Sequence, residues 1–342
     1  MDEKLILVTG GCGYIGIHVV KRLLRMGHAV RIVDKLIWGT FGLEQLSERV
    51  ELINADVRNV DPRWFQGVDA VIHLAGLSND PTAEFDMGAN YSINYIASKN
   101  LVASAKEMGV RIFTYASSAA IYGFHIDDLA NEQNEVFPQS DYARTKLMAE
   151  QEILKEANDQ FATVVLRQGT LFGYSPRMRW DLAVNTFVMQ GMRDGVITVH
   201  GTGEVWRPMI HVTDIANAHI QCVEAEQKQV NGEIFNLVTT NVKIIDLANQ
   251  VRDILDDDGV GAQVKLSGAT DTRNYRIDGS KFERLVGYNS TVSIEQGVRE
   301  IMAQFASGGL NTDFDNPKYY NMRWLECMLE LEQYFMHYQK AL

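Results

Sequence analysis

Short apolar runs recur along the first half of the chain, separated by polar and glycine-containing stretches. These runs predict buried strands at residues 5–8, 30–33, 50–53, 68–74, 111–116 and 163–166. Segments between them carry apolar residues at helical spacing and predict helices at residues 17–26, about 85–108 and 142–156. Strands that alternate with helices predict an α/β fold, a doubly wound parallel sheet of the Rossmann type. Such sheets bind their ligands beyond the carboxyl ends of the strands.

The pattern of strands and helices loosens after about residue 170, where turn signals alternate with short helical segments. We therefore expect residues 1–170 to form the Rossmann domain. Residues 171–310 are expected to form mainly a smaller α/β lobe that binds the substrate and closes over the cofactor. Residues 311–342 are expected to form a helical tail, whose aromatic residues indicate a packed helix or a subunit contact rather than a ligand site.

The composition is that of an ordinary globular protein, with 342 residues of which 46% are hydrophobic and 22% are charged. The net charge of −12 is spread along the chain, without the basic face that nucleic-acid binding requires. The cysteines Cys12, Cys222 and Cys327 lie far apart, which predicts neither a disulfide framework nor a metal site. No signal peptide is recognisable, and no apolar run reaches the ~18 residues that suggest a membrane span. We expect a cytoplasmic protein without membrane partners.

A glycine-rich turn at residues 9–16 follows the first predicted strand and opens the first predicted helix. In this context Gly10 permits a tight turn, Gly13 lets the backbone approach a phosphate, and Gly16 lets the helix pack closely on the strand. The N-terminus of the helix then offers a site for the diphosphate of a dinucleotide. Asp34 ends the second strand, where a carboxylate accepts hydrogen bonds from ribose hydroxyls and repels a 2′-phosphate. The combination predicts an NAD site rather than an NADP site.

Tyr142 and Lys146 lie one turn apart on a predicted helix and therefore share a face. An ammonium group near a phenol lowers the pKa of the phenol, which would make Tyr142 a usable base near neutral pH. Ser118, at the end of the fifth predicted strand, offers a hydroxyl that can bond the substrate while Tyr142 moves its proton. Each feature also has a structural interpretation, because Tyr-x-x-x-Lys spacing is common on helices and serine is a frequent cap or turn residue.

In their order and spacing, these motifs resemble the extended short-chain dehydrogenase/reductase family, and within it the nucleotide-sugar epimerase and dehydratase branch. The resemblance covers roughly residues 4–305 and is carried by residues 10–16, Asp34, Asp56, Val57, 73–76, Asn94, Ser118, Tyr142, Lys146 and 207–214. It implies NAD as the cofactor and a nucleotide-diphosphate sugar as the substrate. It also implies catalysis by Ser118, Tyr142 and Lys146, and a homodimer formed through the helices at about 85–108 and 142–156.

The same resemblance implies which residues bind the cofactor. Asp56 and Val57 would contact the adenine, and the strand end at residues 74–76 would lie along the cofactor. Asn94 would support the backbone of the active site, although it also fits an ordinary helix-face asparagine. Lys146 would also hold the nicotinamide ribose. The full expected set is Gly10, Gly13, Tyr14, Ile15, Gly16, Asp34, Asp56, Val57, Leu74, Ala75, Gly76, Asn94, Tyr142 and Lys146.

The expected substrate site is rich in arginine. Arg207 and Arg273 resemble arginines that grip the substrate diphosphate, for which planar guanidinium groups are suited. Thr170 stands where epimerases commonly carry a diphosphate-binding asparagine, and Arg177 and Arg179 are expected to take over anion binding. The full expected set is Ser78, Asn79, Ser118, Thr170, Arg177, Arg179, Arg207 and Arg273.

Two further features bear on the reaction and the sugar. The 4,6-dehydratases carry an Asp-Glu pair that removes water, whereas this chain has Ala119 and Ala120, which cannot transfer a proton. Asn79 is expected to bond hydroxyls of the sugar, or alternatively to form a turn before Pro81. We therefore expect a C4 epimerase that works through a 4-keto intermediate. A 4-dehydrogenase or an atypical dehydratase remains an alternative, and a non-catalytic NAD-binding regulator is the least favoured one.

Overall fold

The computed structural model describes residues 3–44, 48–268, 274–310 and 313–341. Its strands are β1 Leu5–Thr9, β2 Ala29–Asp34, β3 Val50–Asn54, β4 Ala70–His73, β5 Ile112–Ser118, β6 Phe124–Ala130, β7 Ala162–Gln168, β8 Thr170–Phe172, β9 Val196–His200, β10 Trp206–His211, β11 Glu233–Leu237, β12 Thr240–Lys243, β13 Gln263–Ser267 and β14 Asn274–Ile277.

The helices follow the same chain order. They are α1 Gly16–Arg25, α2 Asp80–Phe85, α3 Met87–Asn90, α4 Ser98–Glu107, α5 Asp141–Lys155, α6 Ala183–Asp194, α7 Val212–Glu224, α8 Gln227–Val230, α9 Ile244–Asp257, α10 Ser280–Val286, α11 Ile294–Ala306 and α12 Asn321–Ala341. Short 3₁₀ turns span Pro62–Phe65, Ala119–Tyr122 and Pro317–Tyr319, and a π-helical segment spans Tyr91–Ala97.

Seven parallel strands form the central sheet, in the order β11-β7-β5-β4-β1-β2-β3. All six predicted strands lie in this sheet, so the predicted doubly wound parallel fold is confirmed. The seventh strand, β11, pairs with β7 and was not predicted as a strand. Because β11 lies within residues 171–310, the central sheet draws on both predicted domains, and the boundary at residue 170 stays a prediction.

The central sheet is covered by helices on both faces. Along β1, Ile6 and Val8 belong to one apolar cluster with Val20 of α1, whereas Leu7 belongs to another with Leu101 of α4. Neighbouring side chains of a strand point to opposite faces, so a strand covered on both sides is apolar throughout. This burial explains why continuous apolar runs predicted these strands correctly.

The single helix predicted at about 85–108 is wrong, because the chain divides here into α2, α3, the π-helical segment and α4. Asp86 has an extended backbone (φ −141°, ψ 90°) that ends α2. Its side chain then caps α3 by accepting a hydrogen bond from the backbone N–H of Ala89 at 2.8 Å. Aspartate side chains compete in this way with a continuous helix. The helix predicted at 142–156 is α5, with bounds shifted by one residue.

Beyond the central sheet, β8, β10 and β12 form a three-stranded sheet, and β9 pairs with β13. Together with α6, α9 and α11 they surround a second apolar core, in which Trp180 and Phe172 are fully buried. The tail contains α12. Across the described parts of the chain, no helix combines the length and apolar character needed to cross a lipid bilayer.

Candidate active site

The glycine turn joins β1 to α1 at the carboxyl edge of the central sheet. Gly10 has a φ of +71°, and a Cβ atom there would lie 2.8 Å from the backbone nitrogen of Ala75. A Cβ atom at Gly16 would overlap the carbonyl oxygen of Gly10, whereas one at Gly13 would lie 3.1 Å from that oxygen. Among the described side chains, none caps the N-terminus of α1. The turn therefore offers backbone N–H groups and the positive end of a helix to an anion.

A cavity of about 150 Å³ extends from this turn to the ends of β2 and β3. Asp34 lines it and accepts two backbone hydrogen bonds, at 2.8 and 3.0 Å, while burial raises the pKa of its carboxyl. Asp56 and Val57 line the same cavity. Hydrogen bonds from Arg58 hold the pKa of Asp56 well below its ordinary value. These residues stand together where the sequence predicts the adenosine site.

The segment at residues 74–76 after β4 forms a wall between this cavity and the next one. Behind the wall, buried Asn94 accepts a hydrogen bond from the backbone N–H of Leu77 at 2.9 Å and donates one to the Leu77 carbonyl at 3.0 Å. A Cβ atom at Gly76 would come within 2.7 Å of the Asn94 Oδ1 atom, so glycine makes this contact possible. Asn94 thus holds the wall in place from behind, the role that the family resemblance implies.

Ser118, Tyr142 and Lys146 meet beside this wall, with Ser118 at the end of β5 and the other two on α5. The Ser118 hydroxyl lies close enough to the phenol of Tyr142 to favour its ionised form. The Nζ atom of Lys146 donates a hydrogen bond to the Ala116 carbonyl at 2.9 Å and lies 5.9 Å from the centre of the Tyr142 ring. The structure therefore brings together the three residues that the sequence predicts to be catalytic.

The predicted lowering of the Tyr142 pKa by Lys146 is wrong in this structure. Burial raises the pKa of Tyr142 to about 12, and the hydrogen bond with Ser118 and the charge of Arg179 offset only part of this effect. Burial likewise lowers the pKa of Lys146 to about 8. Removal from water disfavours the charged form of each group, and the Lys146 ammonium is bonded to a backbone carbonyl.

A buried ion pair behind these residues joins α5 to β7. Arg167 donates to Glu150 at 2.9 Å, and both side chains are at most 5% exposed. Glu150 also accepts a hydrogen bond from Ser117, and Arg167 donates to the hydroxyl of Tyr122 at 2.9 Å. These additional bonds are what a buried ion pair needs to be tolerated. The sequence analysis missed this pair, although Glu150 follows Lys146 by one helical turn.

A larger cavity of about 380 Å³ lies on the other side of Tyr142. Arg207 lies buried on β10, donates a hydrogen bond to the Trp206 carbonyl at 2.7 Å and lies 5.6 Å from the centre of the Tyr275 ring. Arg273, the other arginine expected at the substrate diphosphate, lies outside the described residues. The expected substrate-binding residues that line the cavity are Ser78, Asn79, Ser118, Thr170, Arg179 and Arg207.

Arg179 does not bring a free positive charge to this cavity. It forms a two-point ion pair with Asp181, with both N–O distances at 3.0 Å. Burial opposes ionisation of Asp181, but the Arg179 guanidinium outweighs burial and lowers the pKa of the carboxyl. Asn79 donates to the same carboxylate at 3.0 Å and also caps α2, as its interpretation as a turn residue predicts, while its expected bonds to sugar hydroxyls stay a prediction. The expected anion-binding role of Arg179 is therefore weakened by Asp181.

Arg177 lines a third cavity of about 130 Å³ on the side of the glycine turn, and Arg179 lines this cavity as well. The guanidinium carbon of Arg177 lies 4.5 Å from the centre of the Trp38 ring. Tyr14 and Ile15, which were expected to bind the cofactor, line this cavity as well. Arg179 thus borders both this cavity and the cavity of about 380 Å³, whereas Arg177 borders only this one of the two.

Among the lining residues that were missed at the level of the sequence are Trp38, Gln168, Asp181 and Asn321. Asp181 follows the two arginines directly, and this proximity was the available signal. Asn321 belongs to the tail, which was expected to have no ligand role. Its contribution depends on a contact between distant parts of the chain, which no local motif reveals.

Comparisons with known proteins agree with this geometry. Residues 6–237 match the model of the NAD dependent epimerase/dehydratase family. UDP-glucuronic acid decarboxylase 1 of Xenopus tropicalis is 27% identical over 315 residues, which cover 89% of this chain and 72% of that protein.

Two solved structures have the same fold. UDP-glucose 4-epimerase of Thermotoga maritima, solved with UDP-glucose, aligns with a TM-score of 0.80 and 25% identity over 90% of this chain and 100% of that chain. UDP-glucuronic acid 4-epimerase of Bacillus cereus, solved with UDP-glucuronic acid and NAD, aligns with a TM-score of 0.79 and 24% identity over 89% of this chain and 99% of that chain.

Proposed function

Because the chain belongs to the NAD dependent epimerase/dehydratase family, we propose that this NAD-dependent enzyme epimerises a nucleotide-diphosphate sugar at C4 through a 4-keto intermediate. The observation that carries the proposal is the position of Tyr142. Its side chain lines both the cavity at the glycine turn and the cavity of about 380 Å³ that receives Arg207. A volume of this size is in the range of small-molecule sites.

The residues present fit NAD. The glycine turn offers a diphosphate site against α1, and Asp34, which accepts hydrogen bonds from two backbone N–H groups, supplies the carboxylate expected to bond the ribose and to repel a 2′-phosphate. When bound, NAD supplies a hydride acceptor for the C4 carbon of the sugar and a positive charge that favours the phenolate of Tyr142.

The three residues of the site then have distinct tasks. Tyr142 exchanges a proton with the C4 hydroxyl of the sugar, and the neighbouring Ser118 hydroxyl, which lines the same cavity, bonds the sugar oxygen. Lys146 uses one N–H donor on the Ala116 carbonyl and has two further donors for ribose hydroxyls. No other proton-transfer group is needed for oxidation at C4 and reduction from the opposite face.

Elimination of water would require an additional acid and base at the sugar ring. Ala119 and Ala120 supply neither, and Ala120 lines the sugar cavity. The nearby carboxylate of Asp181 is kept ionised by Arg179, which disfavours it as a proton donor. These features support epimerisation over dehydration.

Decarboxylation is a second candidate, favoured by the similarity to UDP-glucuronic acid decarboxylase 1. It would also begin with oxidation at C4, because a keto group beside the carboxylated carbon makes loss of carbon dioxide possible. The substrate would then carry a carboxylate on the sugar. In this cavity the charge of Arg179 is already balanced by Asp181, which favours a neutral sugar.

A panel of UDP-, GDP-, dTDP- and CDP-sugars, both neutral and uronic, tests the proposal when products are separated by ion-exchange chromatography with mass detection. Epimerisation gives a product of unchanged mass with a new retention time. Loss of two hydrogens with NADH left on the protein indicates a 4-dehydrogenase, and loss of water or carbon dioxide indicates dehydration or decarboxylation. Any of these three results would overturn the proposed epimerase.

A further inference from the structure

The C-terminal strap, residues 317–324, is bonded to three separate segments that line the cofactor cavities. The indole N–H of Trp324 donates to the carbonyl of Ile37 at 2.7 Å, in the loop after β2. Asn321 donates to the hydroxyl of Ser78 at 2.8 Å, in the segment after β4. Its side-chain oxygen accepts a hydrogen bond from Arg177 at 2.5 Å. The strap therefore ties together the loops that surround the glycine turn.

Arg177 is an unusual cation, because it is only 3% exposed and its carboxylate neighbours do not pair with it. Among the described residues, no carboxylate lies within ion-pair distance of its guanidinium, and its Nε–H has no hydrogen-bond partner. One face of the guanidinium is covered by Trp38 at 4.5 Å, and one nitrogen is held by Asn321. A buried, unpaired charge is costly, so such a side chain indicates an anionic ligand.

The position of Arg177 limits which anion this can be. It lines the same cavity as Gly13, Tyr14 and Ile15, at the N-terminus of α1. A helix N-terminus and a planar guanidinium both bind phosphate oxygens, and here they face one space. The sugar cavity, by contrast, is lined by Arg207 and does not include Arg177, whereas Arg179 lines both cavities and is paired with Asp181.

We propose that Arg177, held in place by Asn321 of the C-terminal strap, binds the diphosphate of NAD, and that the strap retains the bound cofactor. This assigns Arg177 to the cofactor instead of the sugar nucleotide. NAD leaves only when the bonds of Asn321 and Trp324 to the loops around it open. The proposal depends on NAD as the cofactor and holds for an epimerase, a decarboxylase or a dehydrogenase.

Binding of two fragments of the cofactor tests the diphosphate contact. ADP-ribose carries the diphosphate, whereas adenosine does not, and calorimetry on cofactor-free protein gives the Kd of each. Arg177→Met is expected to raise the Kd of ADP-ribose about 10-fold or more while the Kd of adenosine stays within 2-fold, since charge-assisted bonds to phosphate are lost. Arg177→Lys keeps the charge without the planar fork, so its Kd for ADP-ribose should lie between the values for the wild type and Arg177→Met.

An unchanged Kd for ADP-ribose in Arg177→Met would overturn this assignment. Equal weakening of both ligands would also overturn it, because that pattern indicates a general distortion of the pocket. These readouts do not involve catalysis, so they remain informative if the proposed epimerase activity is wrong.

The release rate of NAD tests the strap. Holoprotein carrying radiolabelled NAD is chased with excess unlabelled NAD, and the label that stays bound is followed over time. Asn321→Ala and Trp324→Phe, each of which removes one or two hydrogen bonds, are expected to speed release at least 5-fold. Glu326→Ala, an exposed change on the same helix, is the matched control. Equal release rates from the wild type and both strap variants would overturn the proposal that the strap retains NAD.

Discussion

Burial governs the protonation of the proposed catalytic residues more strongly than their contacts with one another do. The pKa of Tyr142 rises and that of Lys146 falls, because both side chains are buried away from water beside the wall at residues 74–76. The phenol is therefore neutral at pH 7 until another positive charge enters the site.

Replacement of Tyr142 by phenylalanine tests its role in proton exchange. We expect turnover of the sugar nucleotide to fall by at least 100-fold, the usual contribution of a positioned acid–base group, while the amount of bound NAD stays the same. Tyr115→Phe, in a buried tyrosine whose ring lies 4.9 Å from the Lys146 Nζ atom, is the control. Turnover of Tyr142→Phe within a few fold of the wild type would contradict the assignment.

The buried imidazole of His73 predicts a loss of stability in acid. It bonds the hydroxyls of Thr9 at 2.6 Å and Ser98 at 2.9 Å, and burial lowers its pKa to about 3. Between pH 6.5 and 3 the unfolded chain therefore binds a proton that the folded chain does not. The free energy of unfolding should decrease as the pH falls through this window, by up to ~1.4 kcal/mol per pH unit from this group.

Urea denaturation at several pH values measures this contribution. The pH slope of His73→Gln is expected to be smaller than that of the wild type by about one proton. His200→Gln, which removes an exposed imidazole, controls for the loss of a histidine. Identical slopes in the wild type and His73→Gln would show that His73 does not carry the effect.

Local sequence motifs made part of the site predictable. The remaining site residues depend on contacts between distant parts of the chain and could not be predicted from local motifs. Asp34, Tyr142 and Lys146 stand in short patterns whose spacing has a chemical reason. The place of Asp181 in the site depends on its contact with Asn79, about 100 residues earlier. The place of Asn321 depends on its contacts with two distant loops. The pKa of Tyr142 was predicted in the wrong direction because spacing on a helix gives no measure of burial.

At the level of the elements, the junction of β1 and α1 depends on how closely the two can approach. A Cβ atom at Gly16 would overlap the carbonyl oxygen of Gly10 and approach the Cα atom of Gly11 at 2.6 Å, both in backbone that cannot easily move. The close approach of the turn to the helix, and with it the expected diphosphate position, thus depends on the absence of a side chain at Gly16.

Gly16→Ala is therefore expected to destabilise the protein by roughly 1–3 kcal/mol, as overpacking does, and to lower the bound NAD to below a tenth of the wild-type amount. Thermal unfolding and the NAD released by acid from purified protein measure the two effects. Gly261→Ala, where a Cβ atom would meet no heavy atom within 4 Å, is the matched control. Full NAD content in Gly16→Ala would contradict this description of the turn.

The elements themselves were predictable where burial on both faces leaves a continuous apolar run, as in β1. The short strand β11 was missed, because its five residues include Glu233 and Asn236 and pair at the edge of the sheet. The break at Asp86 was missed because a single side-chain cap decides it. Helical periodicity continues across such a cap and does not reveal it.

The assembly of the whole molecule is expected to be a homodimer formed through the region at residues 87–107 and α5. Met87, Tyr91 and Ile96 are 62%, 46% and 36% exposed in this region. Met87 and Tyr91 are four residues apart and thus share a face of the helical segment. Exposed apolar side chains grouped in this way are typical of a subunit contact.

Tyr91→Glu is expected to convert the dimer into a monomer, because a charge would be buried in the contact. Light scattering coupled to size-exclusion chromatography measures the mass. Leu285→Glu changes a side chain of similar exposure, 41%, on α10 and should leave the dimer intact. A wild-type protein that is monomeric at micromolar concentration would contradict the expected dimer.

In the proposed reaction, Tyr142 lies between the cavity at the glycine turn and the larger cavity, where oxidation at C4 and its reversal would take place. Transfer of deuterium from a sugar nucleotide labelled at C4 tests this reaction most directly, once the panel has identified the substrate. We predict an epimer inverted at C4 that keeps the deuterium on C4, seen by NMR and mass spectrometry, with a primary isotope effect on turnover. Deuterium lost to solvent, or an epimer inverted at another carbon without an isotope effect, would contradict oxidation at C4.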